Sequence, residues 1–129
     1  PEDLLRAIGN GIDLFDCVMP TRNARNGTVF VRTGKLVIRN QKYRLDRRVL
    51  DETCDCPACA GGFTRAYLRH LYVAGEILAH RLLRLHNLRF YGRLVADARQ
   101  AIEAGSYERF RDERLREMRT QTSGEAEPA

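Results

Sequence analysis

The chain has 129 residues, 43% hydrophobic and 30% charged, with 22 Lys plus Arg against 17 Asp plus Glu, a formal charge of +5. That balance excludes a wholly disordered polymer, and no run approaches the ~20 apolar residues of a membrane-spanning helix. The length suits one domain of ~100–150 residues or a piece of something larger, and no basic-then-apolar secretory leader is present.

Residues 1–9, PEDLLRAIG, read as a short helix, with Pro1, Glu2 and Asp3 suited to its start and Gly9 to its stop. Ile12 to Val18, IDLFDCV, reads as a strand ended by Pro20, and TRNARNG as a polar loop closed by Asn26-Gly27. This helix–strand–loop order is that of an α/β unit whose earlier members are missing. Thr28 to Val31 and Leu36 to Ile38, around the turn pair Thr33-Gly34, predict a hairpin. A helical pattern begins at Thr64, with Leu68, Leu71, Gly75, Leu78, Leu82 and Leu85 on one face. A second helix fits Leu88 to Ile102 and stops at Gly105, and Ser106 can cap a third carrying Phe110, Leu115 and Met118. Residues 120–129 lack large apolar groups and are expected to be a disordered tail.

Arginine supplies 20 of the 22 basic side chains. Its planar fork of donors matches phosphate, so an anionic partner fits the composition, as does a solvated surface.

Cys54, Cys56 and Cys59 stand within CDCPAC, while Cys17 stands apart. Three thiolates at this spacing put soft, negative donors around one point, which suits tetrahedral zinc. A closed site needs a fourth ligand from His70, His80 or His86. His70 and His80 fall inside the first long helix. His86 falls where two predicted helices meet and the backbone can turn a ring toward the cysteines, which favours it. Four protein ligands leave no position for water, so the metal would be structural.

Asp16 lies near the C-terminal end of IDLFDCV, where parallel α/β barrels place catalytic groups. The loop beyond it carries Arg22 and Arg25, two guanidiniums able to hold phosphates or base edges. Read alone, the same residues also fit an ordinary strand-end aspartate beside a solvated loop.

FDCVMPTRNARNG at 15–27, CDCPAC at 54–59, TRAYLRHL at 64–71 and HNLRFYGRL at 86–94 occur in the order seen near the C-terminus of one enzyme family. From Pro1 to about Phe110 the chain resembles bacterial tRNA-guanine transglycosylase, also called queuine tRNA-ribosyltransferase. The resemblance implies an α/β fold: the C-terminal fragment of a (β/α)8 barrel with an inserted zinc-binding subdomain. Residues 1–27 would be a late barrel helix, strand and loop; 28–86 the zinc subdomain; 87–119 the barrel-returning helix and a C-terminal helix; 120–129 the tail. A barrel needs about 250 residues, so a truncated gene or an incomplete piece is expected.

The family exchanges the wobble guanine of certain tRNAs for a 7-deazaguanine, in bacteria the queuosine precursor 7-aminomethyl-7-deazaguanine. Its nucleophilic aspartate matches Asp16, and its wobble-base recognition residues match Thr21, Arg22, Asn23, Ala24 and Arg25. Its structural zinc ligands match Cys54, Cys56, Cys59 and His86. The resemblance further implies a cytoplasmic homodimer, and a second catalytic aspartate and base pocket upstream of Pro1. One departure is visible: AGGF, between Cys59 and Thr64, is a residue longer than in typical members. Two other readings remain open: a stand-alone zinc-containing RNA-binding module, and a non-catalytic partner subunit of such a transferase.

Overall fold

The computed structural model describes residues 1–122. The elements run α1 (Glu2–Gly9), α2 (Met19–Arg25), β1 (Thr28–Val31), β2 (Gly34–Val37), α3 (Pro57–Ala60), α4 (Arg65–Val73), α5 (Ile77–Glu103) and α6 (Tyr107–Thr122), with a 3₁₀ turn at Gln41–Tyr43.

The spine is α5, 27 residues long and therefore about 40 Å from end to end. The hairpin β1–β2 lies across it, antiparallel, with Thr28 opposite Val37 and Val31 opposite Gly34. The alternation of β1 feeds two cores. Val29 and Val31 join Leu36, Ile38, Leu50, Leu68 and Leu83 on one side. Phe30 points the other way, to Leu5, Phe90, Leu94 and Met118. The first core backs the cysteine loop; the second fastens α1 and α6 to the spine. Tyr107, at the start of α6, donates its hydroxyl to the Leu5 carbonyl of α1.

Four sequence expectations change. Residues 12–18 form no strand among the described residues. They run as an irregular exposed segment, with Leu14 90% exposed. Apolar content suits a segment to a sheet, but only a neighbouring strand can satisfy its backbone, and the hairpin is elsewhere. TRNAR, expected as a loop, is the body of α2, because Pro20 at its first turn is preorganised for a helix rather than against one. The helix expected from Thr64 breaks at Gly75, whose φ of +76° ends α4. In exchange α5 runs unbroken through residues 85–88, so the expected junction there does not exist. Finally, α6 continues to Thr122, which makes residues 120–122 of the expected tail helical; residues 123–129 lie outside the described residues. Helices and a hairpin are what these residues build, and no parallel sheet occurs among them.

Candidate metal centre and its surroundings

The cysteine loop is shaped before any ligand arrives. Asp51 accepts from the backbone N–H and hydroxyl of Thr53 at 2.9 and 2.6 Å, and from the Arg32 N–H at 2.7 Å. The backbone then turns so that the Cys56 N–H points at Cys54 Sγ and the Cys59 N–H at Cys56 Sγ, each at 3.4 Å. Cys56 thereby caps α3, and Pro57 starts that helix. The Cys59 N–H favours thiolate at the Cys56 sulfur it faces.

From the opposite side α5 supplies His86, fully buried. Its Nδ1 lies 3.3 Å from Cys56 Sγ and 3.5 Å from Cys59 Sγ. Its Nε2 sits 2.7 Å from the Phe30 carbonyl. A carbonyl can only accept, so Nε2 carries the proton and Nδ1 presents its lone pair to the sulfurs. The ligand atoms of Cys54, Cys56, Cys59 and His86 all lie within 4.8 Å of one another. A tetrahedral ion bound at ~2.3 Å to sulfur and ~2.0 Å to nitrogen sets ligand–ligand edges of roughly 3.5 Å, the spacing His86 already keeps. These four residues could hold a metal ion. Hydrogen bonds with Cys54 and Cys59 hold the Cys56 thiol well below its usual range, while hydrogen bonds with Cys54 and Cys56, together with burial, push Cys59 up. Packed thiols resist losing successive protons, and a cation among them removes that resistance.

The next turns of α5 grip the loop's outside. Arg89 forks onto Asp55 at 2.6 and 3.0 Å, and Arg93 donates to the Thr53 carbonyl at 2.6 Å. The Arg89 hydrogen bonds hold the Asp55 carboxyl below its usual range.

Next to His86, Asn87 is also fully buried. Its Oδ1 accepts from the Phe30 N–H at 3.0 Å; its Nδ2 donates to the carbonyls of Pro20 and Thr28, each at 3.0 Å. Thus β1 pairs with β2 on one edge and with the side chains of His86 and Asn87 on the other. The metal cluster, β1 and α2 are fastened to one turn of α5. Sequence reasoning missed Asn87, Asp51, Arg89 and Arg93. The signal was present: Asn87 stands on the stripe Leu83, Asn87, Phe90, Leu94, a polar residue among buried apolar ones.

His70 and His80 lie outside the cluster. His70 is exposed and stacks on Tyr67, while His80 meets the Tyr72 ring edge-on at 5.5 Å. His86 is the histidine favoured by sequence, though it reaches the cysteines from the middle of a regular helix and not from a junction. Cys17 is exposed, its sulfur accepting from the Met19 N–H.

Asp16 is exposed on the irregular segment, so the apolar burial expected of a barrel strand is absent there. It borders a cleft of about 740 Å³ with Phe15, Asn23 and Tyr91. Along α2, Asn23 turns toward that cleft, Thr21 and Arg25 turn toward α5, Arg22 faces solvent and Ala24 is buried.

The model of the family described as queuine tRNA-ribosyltransferase matches residues 1–120. The chain belongs to that family. It is 60% identical over 110 residues to the queuine tRNA-ribosyltransferase of Sorangium cellulosum, covering 85% of this chain and 28% of that relative. It is 57% identical over 110 residues to that of Nitrosomonas eutropha, covering 85% and 30%, and 55% identical over 107 residues to that of Neisseria gonorrhoeae, covering 83% and 29%. The chain therefore spans less than a third of the length of these curated relatives. No helix among the described residues is long and apolar enough to cross a membrane.

Proposed function

We propose that the chain is the C-terminal portion of a tRNA-guanine transglycosylase, a (β/α)8-barrel enzyme that exchanges the wobble guanine of tRNA for 7-aminomethyl-7-deazaguanine in queuosine biosynthesis. The observation that carries this reading is the match across residues 1–120, with Asp16 exposed at a cleft.

The chemistry asked of Asp16 is nucleophilic. Its carboxylate attacks C1′ of the ribose; the C1′–N9 bond breaks, and guanine leaves with the electron pair and takes up a proton. The incoming base, losing its N9 proton, then attacks C1′ and releases the carboxylate. Two displacements retain the configuration at C1′, as in retaining glycoside chemistry. A carboxylate suits both steps, since it stabilises positive charge at C1′ and leaves again. Thr21, Arg22, Asn23 and Arg25 on α2 would be the RNA-recognition element beside it, with Ala24 buried beneath them and anchoring the helix to the core. The second catalytic aspartate and the base pocket belong to upstream parts of the full-length enzyme.

Cys54, Cys56, Cys59 and His86 would hold structural Zn²⁺. Bound there, zinc supplies charge neutralisation and cross-linking, and no step of the exchange passes through it. What the chain's own residues do is mechanical: the centre holds His86, the adjacent Asn87 holds the Pro20 carbonyl, and Pro20 sets the start of α2 four residues from Asp16. The exposed Ile12, Leu14 and Val18 are the surface on which neighbouring barrel strands would pack. The complete enzyme is expected to be a cytoplasmic homodimer.

The test is incorporation of labelled guanine into tRNA. The full-length enzyme turns over and the 129-residue chain alone does not, because a lone carboxylate without a base pocket cannot set the attack geometry. Turnover by the chain alone, or none by the full-length enzyme, contradicts the proposal.

A further inference from the structure

Between α2 and α5 lies a pocket of about 280 Å³ lined by Thr21, Arg25, His80 and Arg84. Each helix contributes residues four apart, one face of α2 set against one face of α5. Neither Arg25 nor Arg84 has a carboxylate partner among the described residues, although many other arginines of the chain are paired. The buried Nδ1 of His80 has no hydrogen-bond partner among the described residues. A buried polar atom left without a partner is destabilising, so it marks a place where a ligand oxygen would be welcome. Tyr72 braces both walls, its ring edge-on to His80 at 5.5 Å and its hydroxyl donating to the Arg25 carbonyl at 3.3 Å.

We infer that this pocket holds a backbone phosphodiester of the bound RNA, gripped by Arg25 from α2 and by Arg84 and His80 from α5. The inference rests on the reading of the chain as an RNA-acting enzyme, and deepens it by adding an α5 contact to the recognition element. Two guanidiniums facing one pocket from two helices can converge on an anion, and their fork geometry suits a pair of phosphate oxygens. The volume is ample for a phosphate with its flanking ester oxygens. The contact would fix the strand's register while reading no base.

The test is binding of a labelled anticodon stem-loop to the full 129-residue chain by fluorescence anisotropy, in a salt series, with Arg84→Ala, Arg22→Ala and Arg109→Ala. NMR of the His80 ring is followed with the same RNA and with inorganic phosphate alone. We expect Arg84→Ala to weaken binding about 3- to 10-fold and to lower the salt slope by about 0.7–1, the signature of one lost phosphate contact. Arg109→Ala, on α6 and paired with Glu113, leaves both unchanged, and RNA, but not 10 mM phosphate (about a hundredfold above a typical assay concentration of the chain), shifts the His80 ring. If Arg22→Ala weakens binding while Arg84→Ala matches the parent, the pocket is overturned and the wider reading stands. If the full-length enzyme binds no such RNA even at low salt, both fall. If phosphate alone shifts the ring and RNA does not, the pocket takes free anions and the inference is overturned.

Discussion

The imidazole of His86 is aimed by the backbone of Phe30, whose carbonyl takes the Nε2 proton at 2.7 Å and leaves Nδ1 to the sulfurs of Cys56 and Cys59. A metal-ligating histidine is commonly oriented this way. Here the orienting atom belongs to the strand that separates the two cores, so removing the metal should loosen both.

Chelation, Cys56→Ser or His86→Ala should therefore act alike. Each is expected to abolish stoichiometric zinc and to lower the melting temperature by at least about 10 °C, consistent with a structural site that contributes folding free energy directly. Elemental analysis and thermal circular dichroism check this, and full zinc content in Cys56→Ser would refute the ligand set.

Asn87→Leu tests the edge pairing of β1. It leaves the Phe30 N–H and the carbonyls of Pro20 and Thr28 without their partner. At about 1 kcal/mol or more for each stranded group, the expected loss is about 3 kcal/mol in urea unfolding. Zinc stoichiometry should survive, because Asn87 is not a ligand. A loss below about 0.5 kcal/mol would show that the three bonds are not what holds α2 down.

Acid stability should depend on Asp46. Its hydrogen bonds to the Arg48 side chain, with help from Arg65, hold its carboxyl down at about 2 against an ordinary 3.8. A lowered folded-state value contributes stability that is complete above pH ~4 and fades as pH falls toward ~2. Discounted for solvent around Arg48, the contribution is about 1 kcal/mol. Asp46→Asn should show that deficit at pH 6 and converge with the parent near pH 2; parallel curves across the range would contradict the assignment.

Much of this was legible in the residues. The hairpin followed from β-branched runs flanking a glycine turn, and the cysteine loop from spacing alone. What sequence periodicity could not supply was context. Ile12 to Val18 has the apolar content of a strand of mixed burial, yet without a paired neighbour it stays irregular. Pro20 looked like a terminator and is a helix starter. Gly75 sat on an apolar stripe and was read through, although its positive φ is where the backbone turns. His86 was favoured for lying at a helix break; the break is eleven residues earlier, and the ring reaches the thiols because α5 passes directly behind them. The role of Asn87 needed the knowledge that β1 would have a bare edge beside it.

Asp16 is exposed, and among the described residues no side-chain hydrogen bond or ion pair ties its carboxylate to the fold. Asp16→Asn should thus leave melting temperature and zinc content unchanged while lowering exchange by the full-length enzyme at least about 1,000-fold, the scale of losing a covalent nucleophile. The most direct measurement is mass spectrometry of that enzyme trapped on tRNA during turnover and then digested. The account predicts a ribosyl-RNA adduct on the peptide containing Asp16, absent in Asp16→Asn. An adduct on any other residue, or exchange that persists in Asp16→Asn, would contradict it.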